Sequence, residues 1–192
     1  MLAYRQGDAQ AFNVLLARHQ RPVFNFLIRQ VNNKTLAEDL LQEVFLRVIR
    51  GAGTYKKQAK FTTWLYTIAR NLCIDNARRA KHRKAASLDQ PMGKMNEGGR
   101  TMGETIADKA PGVERQAASR RLQDRIQQAV GRLSDEQREV FLMREQLNMP
   151  FKEIAEVIGC PENTVKSRMR YALEHLRKQL DDYREVAKAV HS

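Results

Sequence analysis

The chain has 192 residues, long enough for one domain or two small ones, and 42% of them are hydrophobic, which argues against a wholly disordered chain. Lys and Arg number 34 and Asp and Glu 22, and the net charge of +12 predicts attraction to a polyanion, nucleic acid first and an acidic membrane surface second. Two cysteines, Cys73 and Cys160, exclude a disulfide framework and a cysteine-based zinc site and indicate a reducing, cytosolic compartment.

Membrane and export signals are not found in the sequence. No apolar run approaches the ~20 residues that a membrane span needs. Residues 1–10 lack the apolar core of a signal peptide. The chain begins almost on its first predicted helix, so we expect no leading segment.

Charge and the distribution of glycine and proline divide the chain into three parts. Residues 1–84 hold 16 basic and 5 acidic side chains, a net charge of +11, whereas residues 116–192 have a net charge of only +2. Five of the ten glycines lie within residues 87–112, together with Pro91 and Pro111, and no helical or strand period crosses that segment. The pattern predicts two domains, 1–84 and 116–192, joined by a flexible linker over 85–115, with at most a short helix near 105–109.

Three amphipathic helices are predicted before the linker. Asp8 can cap the first, and Pro22 inside it predicts a kink or a split. Thr35 and Glu38 form a capping box that predicts the start of the second helix, which Gly51 ends. The third is predicted over 62–79. The inward positions are Leu36, Leu40, Leu41, Val44, Phe45, Val48 and Ile49 in the second helix and Trp64, Leu65, Ile68, Ala69 and Leu72 in the third.

The part after the linker also has a helical period. Ser134 and Gln137 form a second capping box, which predicts a helix through Arg144. No alternating strand pattern of useful length is present, so the predicted fold class is all-α, in two helical lobes. The apolar stripes are Leu122, Ile126, Ala129, Val130 and Leu133; then Phe151, Ile154, Ala155 and Ile158; then Val165, Met169, Ala172, Leu173, Leu176 and Leu180.

The last two stripes have the spacing of a helix-turn-helix. A short helix is predicted to end at Gly159, followed by a turn that contains Pro161 and a longer helix from Asn163 or Thr164. At 100° per residue, the face opposite the last stripe carries an amide, hydroxyls, cations and an aromatic ring, which are groups that contact phosphates and base edges in a major groove. A charged, solvated helix face is the alternative. The candidate residues are Asn163, Thr164, Lys166, Ser167, Arg168, Arg170 and Tyr171.

These segments together resemble the extracytoplasmic-function sigma factors, the smallest members of the sigma-70 family of bacterial RNA polymerase subunits. Residues 7–19, GDAQAFNVLLARH, resemble the opening helix of sigma region 2, and residues 37–50, AEDLLQEVFLRVIR, resemble region 2.2. Residues 61–79, FTTWLYTIARNLCIDNARR, resemble regions 2.3 and 2.4. Region 4 is similar to residues 133–177, from LSDEQREVFL to YALEHLR. The four segments occur in the family's order, although Pro150 stands where the family usually has a small hydroxyl residue.

The resemblance implies a division of labour among the residues. The helix at 35–50 would dock on the clamp helices of the polymerase β′ subunit through Asp39, Gln42, Glu43 and Arg47. The helix-turn-helix would read the −35 promoter element and touch the polymerase flap, and the linker would run toward the RNA exit path. The residues that would bind and melt the −10 element are Tyr55, Lys56, Lys57, Lys60, Phe61, Trp64, Arg70, Asn71, Asp75, Arg78 and Arg79.

The aromatic and basic residues of the first lobe suit a role in DNA melting. Strand separation requires aromatic rings to replace base stacking, at ~1–3 kcal/mol per base, and cations to neutralise phosphates. Two simpler interpretations stay open: Trp64 as a core residue, and the basic run at 78–84 as a solvated helix end. Many proteins of this family are held inactive by an anti-sigma protein, often membrane-anchored, and we expect such a partner here.

The sequence fits other classes of function less well. The sequence has no phosphate-binding loop, HExxH or GxSxG motif, and its four histidines have no ligand spacing, so we expect neither an enzyme nor a cofactor or metal. A DNA-binding regulator that works without polymerase would explain 116–192 but not the basic first lobe. A third alternative is a protein-interaction module, in which the helices bind only a protein partner and the positive charge has no role in binding. Such a module would bind promoter DNA either not at all or with an affinity that does not depend on salt.

Overall fold

The computed structural model describes the backbone of residues 1–55, 60–88 and 113–181 and the side chains of 1–55, 60–83 and 120–181. Within these ranges there is no strand, and the predicted all-α fold class is confirmed. None of the described helices combines the length and hydropathy that a bilayer crossing requires. A short 3-10 turn lies at Ala52–Thr54, and the helices are α1 Leu2–Arg5, α2 Ala9–Val31, α3 Lys34–Arg50, α4 Phe61–Leu88, α5 Val113–Gly131, α6 Asp135–Glu145, α7 Phe151–Ile158 and α8 Glu162–Gln179.

Helix α2 begins as the sequence predicts and continues through its proline. The Asp8 carboxylate accepts hydrogen bonds from the backbone N–H groups of Gln10 and Ala11 at 2.9 and 3.1 Å. The split that Pro22 suggested is wrong, because α2 is uninterrupted. Pro22 lies on the exposed face, where a missing backbone bond is tolerated, while the next residue, Val23, is fully buried and holds the helix to the core.

The start of α3 differs from the prediction. The N-cap is Asn33, whose side-chain oxygen accepts from the N–H of Leu36 at 2.9 Å, and the helix already includes Thr35 in its first turn. The proposed capping box of Thr35 and Glu38 is therefore wrong. Asn is as good an N-cap as Thr or better, so the upstream residue takes the position. Gly51 follows the last helical residue, as predicted.

Two helices reach further toward the predicted linker than the periodicity indicated. Helix α4 continues past residue 79 to Leu88, and α5 begins at Val113, so 85–88 and 113–115 of the predicted linker are helical. The remaining residues, 89–112, lie outside the described part of the chain, as does the short helix considered at 105–109.

Each lobe has an apolar core. Val23, Phe26, Leu27, Val44 and Leu65 are fully buried in the first lobe. The second lobe buries Val140, Leu142, Met143, Ile154 and Val165 completely. The two cores are continuous, because α7 packs on α4 and α6 packs on α2, so the lobes share one apolar cluster. Four predicted inward residues are exposed instead: Ile49, Leu122, Ile126 and Leu173.

Candidate nucleic-acid interface

The helix-turn-helix is formed by α7, a tight turn and α8. Gly159 ends α7 in the left-handed conformation with φ of 76°, which a glycine adopts without steric penalty. Pro150 occupies the N-cap of α7 and offers no side-chain oxygen, in keeping with the departure noted in the sequence. Pro161 occupies the N-cap of α8, so that helix begins at Glu162, one residue before the predicted range.

The outer face of α8 presents polar side chains as predicted, while Val165, Met169, Ala172 and Leu176 are buried on the inner face. The guanidinium carbon of Arg170 lies 4.9 Å from the ring centre of Tyr171, and its Nη2 donates to the tyrosine hydroxyl at 3.2 Å. This pairing holds a cation and an aromatic ring together at the surface. The exposed residues are Asn163, Lys166, Ser167, Arg170 and Tyr171, and Thr164 is half-buried.

Arg168 has a different environment from the other candidate residues of α8. Its Nη2 lies 3.0 Å from a Glu136 carboxylate oxygen and its Nη1 lies 3.7 Å from one of Glu139. Only 21% of its side chain is exposed. The guanidinium therefore joins α8 to α6 within the second lobe and is directed away from the open face of the recognition helix.

The aromatic residues before α4 form a packed cluster. The ring of Trp64 lies 5.0 Å from that of Tyr55 and 6.0 Å from that of Phe61, centre to centre. Tyr55 is buried, and Phe61 also contacts the ring of His19 at 5.3 Å. This packing favours the core interpretation of Trp64. Burial, and then the Arg18 charge, lower the pKa of His19 from 6.5.

Most of the polar residues predicted on α4 are available to a ligand, but Arg70 is not. The Nε and Nη2 atoms of Arg70 donate to the two carboxylate oxygens of Glu139 at 2.7 and 3.3 Å. The Nζ of Lys60 lies 2.5 Å from a carboxylate oxygen of Glu153. Lys56 and Lys57 lie outside the described residues. The exposed candidates on α4 are Asn71, Asp75, Arg78 and Arg79.

The outward face of α3 is a second candidate surface. Asp39 and Gln42 are exposed, and Glu43 is paired with Arg47 at 2.9 Å one turn further on. Sequence reasoning missed the exposed Leu46 and placed the exposed Ile49 in the core. The spacing could have identified both residues as exposed, because residues 39, 42, 46 and 49 recur every three to four positions and so lie on one face of the helix. A face that mixes charged and large apolar side chains suits docking on another protein.

Neither metal nor thiol chemistry is prominent in the described part of the chain. Among those residues no group of three His, Cys, Asp or Glu side chains could hold a metal ion. Both cysteines are free and half-buried. Burial, reinforced by the Glu139 charge, raises the pKa of Cys73 to about 12, which keeps it protonated at neutral pH.

The comparisons with known proteins agree with this architecture. The model of sigma-70 region 2 matches residues 15–83, and that of sigma-70 region 4 matches residues 123–176. The ECF RNA polymerase sigma factor SigW of Bacillus subtilis is 33% identical over 178 residues, which cover 93% of each chain. The RNA polymerase sigma factor CarQ of Myxococcus xanthus is 34% identical over 189 residues, covering 98% of this chain and 100% of CarQ.

Two solved structures have the same fold. The sigma factor RpoE of Bartonella quintana, in complex with the anti-sigma factor NepR, matches with a TM-score of 0.69 at 21% identity over 90% of this chain and 98% of RpoE. CnrH, in complex with the cytosolic domain of CnrY, matches with a TM-score of 0.65 at 21% identity over 93% and 92% of the two chains.

A helical lobe matching region 2 and a helix-turn-helix lobe matching region 4 define an RNA polymerase sigma factor. The chain belongs to the extracytoplasmic-function sigma factors of the sigma-70 family, at over 30% identity to curated members along nearly its whole length. The resemblance found in the sequence is confirmed. The matched relatives are regulators of transcription rather than enzymes.

Proposed function

We propose that this protein binds bacterial core RNA polymerase, directs it to promoters with −10 and −35 elements and helps to melt the DNA. The exposed residues on α8 carry the proposal, because Arg170, Tyr171, Lys166 and Ser167 present base- and phosphate-binding groups on the second helix of a helix-turn-helix. The proposed domains are 1–84 for core binding and the −10 element and 116–192 for the −35 element, with 85–115 as the linker.

The remaining surfaces receive complementary roles. Helix α3 would bind the polymerase through Asp39, Gln42, Glu43 and Arg47. Helix α4 and the segment before it would bind the −10 element, with Asn71 and Asp75 at the bases. Arg78 and Arg79 would grip the phosphate backbone, since both are exposed.

Control by an anti-sigma factor belongs to the same proposal. RpoE was captured with the anti-sigma factor NepR and CnrH with the cytosolic domain of CnrY, and this chain shares their two-lobe fold. The chain would act in the cytoplasm, where an anchored partner could hold it near the membrane. A tagged copy expressed in its host should recover a stoichiometric inhibitor, and a protein that is always active and recovers none contradicts this part.

Run-off transcription with core polymerase on a promoter library tests the main proposal. The chain should support transcripts only together with core polymerase, from templates that share two spaced elements. A regulator that works without polymerase would bind the same templates but would not be recovered with core enzyme. Failure to yield a transcript from any template while binding DNA tightly would contradict the proposal.

Two sets of variants separate polymerase binding from promoter reading. We expect Arg170→Ala to weaken use of the −35 element while polymerase binding stays intact. Arg168→Ala should weaken it less, since the guanidinium of Arg168 is directed toward α6. Loss of one direct DNA contact should reduce promoter use by about 5- to 100-fold. Arg170→Ala is the cleaner change, because Arg168 is paired within the second lobe. Asp39→Arg and Glu43→Arg should weaken polymerase binding while the affinity for the −35 element stays intact. If both sets of variants lose polymerase binding equally, the division of labour between the two lobes is wrong.

A further inference from the structure

Carboxylates of the second lobe cover cations of the first lobe that we assign to DNA. The guanidinium of Arg70 makes a two-point contact with Glu139, at 2.7 and 3.3 Å, and the ammonium of Lys60 meets Glu153 at 2.5 Å. The first pair is well shielded from solvent, since 18% of the Arg70 side chain and 9% of the Glu139 side chain are exposed. Both pairs join the lobes, with the basic member on the −10 side.

Glu139 also contacts the recognition helix. Its Oε1 lies 3.7 Å from Nη1 of Arg168, so one carboxylate serves a cation from α4 and a cation from α8. The packing of α7 on α4 places apolar contacts beside these pairs. Charge pairing and apolar burial therefore stabilise the same arrangement of the two lobes.

A carboxylate that grips a guanidinium at two points offers the same acceptor geometry as a phosphate group. We infer that the free chain is held closed by its own second lobe, with Glu139 and Glu153 occupying against Arg70 and Lys60 the positions that DNA phosphates take in the open form. This inference rests on the proposed function, because it assigns regulation to the proposed −10 surface. Opening frees both cations, and DNA replaces the carboxylates.

The closed form can exchange with an open one because its ion pairs are replaceable. The Lys60 side chain is 68% exposed, so salt screens its pair with Glu153 readily. The shielded pair of Arg70 and Glu139 is screened less and requires a competing anion or loss of the apolar contact. Raised salt should therefore loosen the closed form, and a polyanion should shift it further.

Cys73 provides a reporter of closure that needs neither polymerase nor promoter. It lines a small cavity to which the first lobe contributes Phe26 and Arg70 and the second lobe contributes Asp135 and Glu139. Its thiol is therefore covered in part by the second lobe and should react with iodoacetamide only when the lobes separate. Alkylation is followed by mass spectrometry of the peptide that contains Cys73.

Glu153→Gln is the primary variant, because it breaks a lobe-to-lobe pair without altering the charge next to Cys73. We expect it to raise the rate of Cys73 alkylation about two- to fivefold and to increase the radius of gyration from small-angle X-ray scattering. Glu38→Gln is the matched control: it removes one negative charge and an exposed pair with Lys34 within the first lobe, and it should leave both quantities unchanged. Glu139→Gln should open the chain more strongly, provided that circular dichroism shows native helix content.

The DNA part is tested with the free chain and a fluorescein-labelled, mixed-sequence single strand of 20 nucleotides. Glu153→Gln should bind this strand more tightly than the unaltered chain at low salt, and Glu38→Gln, which removes the same charge, should not. The inference is overturned if Cys73 of the unaltered chain reacts as fast as in urea, or if Glu153→Gln changes neither compactness nor DNA affinity. An open variant whose transcription still fails would count against the proposed function instead, since closure is measured without polymerase.

Discussion

Arg138 is predicted to be a main stabilising residue of the second lobe, because its guanidinium closes the end of α5. It donates to the backbone carbonyls of Val130, Gly131 and Leu133 at 3.3, 2.8 and 2.8 Å, and only 14% of its side chain is exposed. The carbonyls of a last helical turn have no partner within the helix, and a cation there also favours the helix dipole.

The expected size of the effect follows from this geometry. A charged donor contributes about 1.5–3 kcal/mol per net hydrogen bond, but the three bonds share one guanidinium and water can reach Gly131 after it is removed. We therefore expect Arg138→Met, which keeps the aliphatic stem, to reduce the free energy of unfolding by about 2–4 kcal/mol. Urea unfolding followed by circular dichroism at 222 nm measures it.

A neighbouring arginine supplies the control. Arg132 is exposed and pairs with the side chain of Gln179, so Arg132→Met should change the free energy of unfolding by less than about 0.5 kcal/mol. If Arg138→Met is as mild as Arg132→Met, the carbonyl contacts do not stabilise the lobe and the reasoning fails. A large loss in both variants would point to net charge rather than to the contacts.

Two further predictions concern the first lobe. A Cβ added at Gly51 would lie 2.9 Å from Cζ2 of Trp64 and 3.1 Å from the carbonyl oxygen of Arg47. Gly51→Ala should therefore destabilise the chain by about 1–3 kcal/mol and shift the fluorescence emission of Trp64, the single tryptophan. An unchanged emission spectrum and an unchanged midpoint of urea unfolding would contradict the close packing. Because burial lowers the pKa of His19, the unfolded chain takes up this proton first as the pH falls, so stability should decrease below about pH 6.5. His19→Gln should flatten the stability profile on that acidic side, and an unaltered slope would show that His19 does not cause it.

Local sequence signals predicted most of the helices correctly. Asp8, Ser134 and Gly159 cap or end helices as their types indicated, because each acts on backbone groups within three or four residues. The errors also have local causes. Asn33 displaced Thr35 as a cap, and Pro22 was tolerated where its ring faces solvent.

The candidate surfaces were predicted less completely. The spacing of α8 identified its outward residues, because a face of one helix depends only on its own period. The same rule placed Ile49 and Leu173 inside, although both are exposed, since burial depends on how much of a helix its neighbours cover. The carboxylates Glu136, Glu139 and Glu153 carried no signal in the sequence that linked them to cations elsewhere.

The sequence by itself determined the helices, their caps, the helix-turn-helix and the family, because periodicity and capping are short-range effects. Only the tertiary structure decided which cations are free to meet a ligand. Arg70 and Glu139 are 69 residues apart, and nothing local to either predicts their contact. It forms because the apolar faces of the two lobes pack together, and that packing brings distant charges within hydrogen-bonding distance.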